Sequence, residues 1–274
     1  MTEDLQVVAG STQEQERPDG MIAPLWHTLA LLALLFLWAY IGRDKAAMSE
    51  VGPHGAVYLS AIITSWLLMG AVVAGVYQRR MFFVSTLERK ASSWPIEFAK
   101  GVGIYFGFGL LVLFLAGFAL MIVAVATAHG RDIATSMKDL MNWVRPHFSS
   151  NAQKALGPRN VRELCLWLGV SVTAGICEEH VFRGYLLQQA VALTRRLPLR
   201  LWMAQAIAVV ATSLLFGSLH LYQGVGGAMV VTLLGCFYAA CVLYFGNLRA
   251  VMVAHALQDF IAGIMVLALR HHGM

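Results

Sequence analysis

Seven polar side chains stand inside stretches that are otherwise apolar. Glu178, Glu179, His180 and Arg183 share one such stretch, His220 ends the next, and His255 and Asp259 lie in the last. Ionisable groups are costly in an apolar medium and are functional candidates by default. A carboxylate beside an imidazole can activate water by general-base catalysis. Glu178, His220 and His255 are also the ligand types of a zinc site with an open fourth position. A third use of such groups is a proton relay.

Spacing sorts these residues. At about 100° per helical residue, Glu179 and Arg183 are i,i+4 neighbours on one face and can pair. Glu178 falls about 140° round from Arg183 and has no partner in its own turn. Glu178 is 21 residues before Leu199, in the turn Arg195–Arg200, and His220 is 21 residues after it. Two antiparallel helices joined there bring Glu178 and His220 to one depth. His255 and Asp259 are again i,i+4, but counting from the preceding turn does not give their depth. His220 has no acidic residue within a helical turn, and His255 has only Asp259. Catalytic zinc usually has its histidines oriented by such acceptors, so this pattern favours a metal-free site.

These residues need helices to position them. The chain has 274 residues, 58% hydrophobic and 13% charged, with mean hydropathy +0.66. Soluble domains carry about 25% charged residues, so a soluble globular protein is excluded, and disorder with it. Apolar runs cover about 24–41, 56–77, 101–128, 161–193, 201–221, 225–246 and 248–269. Each has at least 18 residues, enough to cross a core of about 30 Å. Lipid offers backbone groups no water, so the runs are helices. The expected fold is an all-α polytopic membrane bundle of about seven (six to eight) transmembrane helices, with a polar site among the C-terminal helices.

The reading divides the chain into a polar disordered tail (1–20), N-terminal transmembrane helices and polar loops (21–160), and a catalytic helix core (161–269). Segments 133–144 and 81–98 are candidate interfacial helices. His27, near the start of the first run, reads as interfacial. Gly224–Gly227 reads as a turn between helices. The four cysteines lie in apolar runs and read as small buried residues, not disulfides. Net charge is +5, but basic residues in a membrane protein set orientation, so nucleic acid is not an expected partner. They split ten to nine between the two sides. The density of arginines in 194–200 favours placing that loop and the N-terminus in the cytoplasm. No HExxH, phosphate loop or dinucleotide fingerprint occurs.

In order, Glu178-Glu179-x-x-x-Arg183, Phe216-x-x-x-His220 and His255-x-x-x-Asp259 resemble the three motifs of the CAAX-protease and bacteriocin-processing family, also called the abortive-infection family. The resemblance covers about residues 161–269. It implies an intramembrane endopeptidase acting on a membrane-anchored peptide, of CAAX or leader type. In that family's pattern Glu178 is the general base and His220 positions the water. His255 and residue 259 stabilise the oxyanion, a role for preorganised donors, while Glu179 and Arg183 give orientation and electrostatic support. The family usually has asparagine where this chain has Asp259. An ionised aspartate cannot donate a hydrogen bond, so Asp259 either carries a proton or orients His255. The glutamate-type members imply no cofactor. Zinc on Glu178, His220 and His255 is the competing mechanism. The expected location is a multi-pass position in a bilayer, the inner membrane of a prokaryote or the endoplasmic reticulum of a eukaryote. Two readings outside the family stay open: a scaffold or immunity protein whose charges serve packing, and a proton-coupled transporter, which would be expected to show inverted repeats.

Overall fold

The computed structural model describes residues 20–42, 54–79, 90–127, 135, 138 and 156–271. Among these residues eight α-helices follow in order: α1 (Leu25–Gly42), α2 (His54–Tyr77), α3 (Trp94–Thr127), α4 (Val161–Glu179), α5 (Leu187–Thr194), α6 (Leu201–Ser218), α7 (Gly224–Phe245) and α8 (Arg249–His271). No strand occurs among the described residues. The chain is a polytopic helical bundle. Among the described residues, six continuous helical segments are long and apolar enough to cross a bilayer, α4 and α5 counting as one; the apolar stretch of α1, Leu25–Tyr40, is shorter. The polar tail 1–19, half of segment 81–98 and most of segment 133–144 lie outside the described residues; residues 94–98 open α3.

Local sequence sets the ends that matter. Gly157-Pro158 precedes α4, and Asn160 caps it, its side chain accepting from Glu163 N–H at 3.0 Å. Glu163 reaches back to accept from Arg159 N–H at 2.8 Å, a reciprocal arrangement close to a capping box. Between α4 and α5 the helix does not break but widens: His180–Leu186 form a π-helical turn. Such insertions are rare and concentrate at functional sites. The whole segment Val161–Thr194 has 34 residues, about 50 Å at 1.5 Å per residue. This exceeds a hydrocarbon core of about 30 Å, as its long apolar run implies.

The turn after α6 differs from the sequence expectation. It is made by Leu219 and His220 and a short 3₁₀ turn, Leu221–Gln223, while Gly224–Gly227 begin α7. Gly224 has φ of +84°, a conformation that glycine adopts without a Cβ clash. At the other end Gly246, with φ of +69°, closes α7 through its N–H to the Val242 carbonyl, a left-handed helix cap.

The main packing brings α8 against α4. Gly175 lies so close that a Cβ there would come within 2.6 Å of the Met252 carbonyl. Small residues allow membrane helices this approach. Trp167 Nε1–H donates to the Asp259 carbonyl at 2.8 Å. These two contacts run the helices antiparallel and fix the level of His255. The core they build is apolar: Val181, Phe182, Tyr185, Phe216, Tyr238 and Val251 are all buried. Large apolar residues such as Leu113, Phe114 and Met229 face outward, as lipid-facing surfaces must.

Candidate active site

Glu179 is the centre of the buried polar cluster. It is fully buried, and its Oε1 accepts from Arg183 Nη1–H at 2.9 Å and from His255 Nδ1–H at 2.7 Å. The expected i,i+4 pair forms, and it also binds a third residue on α8. Arg183 lies 4.3 Å over the Phe216 ring and 5.7 Å from that of Tyr238, distances at which a cation is attracted to an aromatic face. The α6 phenylalanine of the second motif therefore holds the arginine of the first.

Glu178 behaves differently. Its side chain is about 30% exposed, and its Oε2 has no hydrogen-bond partner. It lines a cavity of about 260 Å³ together with His220. The two residues placed at one depth by counting thus share one chamber. Its other walls are apolar, apart from Thr64 and Ser65 on α2, Trp38 on α1 and Tyr222. No sequence signal marked these four, because single hydroxyls and aromatics in apolar helices carry no pattern.

The two histidines are held alike. His220 Nδ1 bonds the Phe216 carbonyl at 2.8 Å. A carbonyl only accepts, so Nδ1 carries the hydrogen and a neutral His220 keeps its lone pair on Nε2. His255 Nδ1 is taken by Glu179. Its Nε2 lies 3.6 Å from Asp259 Oδ2 and 4.0 Å from Glu178 Oε2. Two expectations need correction. The residue that orients His255 most closely is Glu179, not Asp259. Each histidine also has an acceptor on Nδ1, so the argument against zinc from missing acceptors does not hold. Among the described residues, however, no group of three His, Cys, Asp or Glu side chains gathers closely enough to hold a metal ion.

The structure brings Glu178 and His220 together in the cavity wall, and Glu179, Arg183, His255 and Asp259 behind Glu178. Among the described residues, His255 and Asp259 are not part of that wall. His180, beside them in sequence, bonds the Ile176 carbonyl within its own helix at 2.7 Å.

His27 is a further correction. It is buried, not interfacial, with Nδ1 at 2.7 Å from the Tyr185 hydroxyl and Nε2 at 3.0 Å from the Ala71 carbonyl. Gln189 extends this network. It accepts from Ile22 N–H at 3.0 Å and donates to the Ala23 carbonyl at 2.9 Å and to Thr28 Oγ1 at 2.7 Å. The segment before α1 is thereby clasped to α5 and to the π-helical turn. Of the cysteines, all free, only Cys177 is fully buried; Cys165 is exposed.

With this geometry in view, one comparison with known families bears on it. Residues 160–261 match the model of the Rce1-like family, the type II CAAX prenyl endopeptidases. That segment of the chain is similar to this family. No curated protein and no solved structure matches it. The matched segment runs from the N-cap of α4 to the middle of α8 and contains all six expected site residues. With six helices among the described residues long and apolar enough to span a bilayer, and with a segment similar to a family of membrane endopeptidases, the chain is a multi-pass integral membrane protein.

Proposed function

We propose that the protein is a glutamate-type intramembrane endopeptidase that hydrolyses a peptide bond of a membrane-anchored substrate. Glu178 is the base, and His220 positions the water. The observation that carries this reading is the shared cavity: the partly exposed side chain of Glu178 and an imidazole whose Nε2 is left free by the Phe216 bond line one chamber that is otherwise mostly apolar.

A water between Glu178 and His220 donates one hydrogen to the carboxylate and the other to Nε2. Its lone pair is then free to attack. As the oxygen–carbon bond forms, the proton passes to Glu178 and the carbonyl becomes an oxyanion. His255 Nε2, bearing a proton, donates to that oxyanion across the 4.0 Å gap to Glu178, a span one bound oxygen can bridge. When the carbon–nitrogen bond breaks, Glu178 returns its proton to the leaving amine. Glu179 holds His255 and neutralises Arg183. Asp259 Oδ2, 3.6 Å from His255 Nε2, completes its surroundings. No step requires a metal.

Glu178→Gln tests the assignment in purified protein with a membrane-anchored peptide. The amide keeps the shape but cannot take the proton, so turnover falls by about 10²–10⁴-fold. Folding survives, because Glu178 is partly exposed and its Oε2 makes no hydrogen bond. Turnover near that of the parent would remove Glu178 as the base.

A further inference from the structure

Beside the catalytic cavity lies a second, more open groove. It is walled on one side by Phe36, Leu37, Ala39 and Tyr40 of α1 and on the other by Ser218 at the end of α6 and Leu219, Leu221 and Tyr222 after it. Three of these residues, Ala39, Leu219 and Tyr222, also line the cavity that holds Glu178 and His220. The two spaces therefore adjoin, and α1 contributes to the wall of both. Helix α1 lies outside the segment matched by the family, and its outer face exposes Trp26, Leu29, Phe36 and Tyr40.

The groove's chemistry is that of its surroundings. Its wall is almost wholly apolar and carries no charged side chain. An apolar, uncharged channel between two lipid-facing elements excludes a hydrated chain and accepts one that already resides in the bilayer. We infer that a membrane-anchored substrate reaches Glu178 and His220 sideways, from the lipid, by threading apolar residues next to its scissile bond between α1 and the Leu219–Tyr222 turn. The inference rests on the protease reading and adds the route. α1 is fixed at its N-terminal end by the His27 and Thr28 bonds to Tyr185 and Gln189. Its other end borders the groove, so a small tilt about the fixed end changes the groove's width.

The test bridges the groove. In a variant with its four native cysteines replaced by alanine, Tyr40→Cys and Leu221→Cys are linked by a short, reducible bifunctional thiol reagent. Two substrates are compared in the same protein before and after linking: a peptide carrying an apolar membrane anchor, and the same peptide without it. The inference expects the link to slow cleavage of the anchored peptide by about tenfold or more, as closing an access element does. It expects the unanchored peptide to be cut as before, and reductant to reverse the effect. Unchanged cleavage of the anchored peptide overturns the route and points to entry past Val57 and Leu156, at another part of the cavity wall. Equal slowing of both peptides also overturns it, because the link then acts on the site and not on access. If the cysteine-free protein proves unstable, Leu37→Trp in the native background, at a residue that lines the groove but not the catalytic cavity, fills the groove and is read with the same two peptides. Failure to cut either peptide before linking would instead remove the protease reading itself, and the route with it.

Discussion

Replacing Glu179 by Gln and Arg183 by Met, singly and together, separates what the buried pair does for folding from what it does for chemistry. Glu179 is fully buried and Arg183 is 2% exposed. Glu179→Gln keeps the shape but leaves the guanidinium with no counter-charge, while its contacts to Phe216 and Tyr238 are unchanged and offset nothing. Breaking a buried ion pair from one side costs about 3–5 kcal/mol. The bond to His255 adds little, since interhelical polar contacts in membranes average about 0.6 kcal/mol. A loss of about 3 kcal/mol lowers Tm by about 6–12 °C on the scale of 2–4 °C per kcal/mol. Adding Arg183→Met removes the stranded cation. Replacing a whole buried pair by apolar groups of similar volume is neutral or stabilising, so the double variant regains most of the lost Tm. Its activity stays low, because His255 still lacks its charged acceptor. Thermal unfolding in detergent and cleavage of an anchored peptide read the two effects apart. A double variant as unstable as Glu179→Gln alone would refute the argument that a stranded charge, and not lost packing, is what destabilises the single variant.

What the sequence revealed about this site follows from the kind of signal each residue leaves. The charges in apolar runs are conspicuous because lipid selects against them, so Glu178, Glu179, Arg183, His220, His255 and Asp259 stand out without any structure. Helical periodicity gave the Glu179–Arg183 pair, and counting from the Arg195–Arg200 turn brought Glu178 and His220 to one chamber. Counting could not level α8, because its position depends on the close approach at Gly175, which one glycine among 25 does not announce. The bond from His255 to Glu179 depends on that approach and so was equally hidden. The π-helical turn was hidden too, since nothing in His180–Leu186 distinguishes a widened turn from an ordinary one. His27 was misread because a histidine near a helix start looks the same whether it meets water or a buried tyrosine. The clasp at Gln189 joins residues more than 160 positions apart, beyond any local pattern.

Three further outcomes follow from the geometry. Gly175→Ala drives a methyl against the Met252 carbonyl and pushes α8 away; overpacking costs about 1–3 kcal/mol, and thermal unfolding and cleavage assays should show lower stability and activity together. Dialysis against a strong chelator should leave cleavage intact, with metal analysis giving less than one zinc per chain; activity lost on chelation and restored by Zn²⁺ would assign a Lewis acid while keeping the protease reading. The last concerns which nitrogen of His220 acts. Nδ1 is engaged by the Phe216 carbonyl, so only Nε2 is left for the water. Glutamine places its terminal amide near the position of Nε2, and its oxygen accepts a hydrogen bond there. Asparagine places its amide near Nδ1, keeps the bond to Phe216, and presents nothing to the cavity. If Nε2 holds the water, His220→Gln keeps cleavage within about tenfold of the parent, while His220→Asn falls by about 10²-fold or more. Both variants lose the imidazole equally, so a general loss of packing against Phe216 lowers both alike. Asparagine matching or exceeding glutamine would show that the bond to Phe216, and not the free nitrogen, is what this histidine contributes.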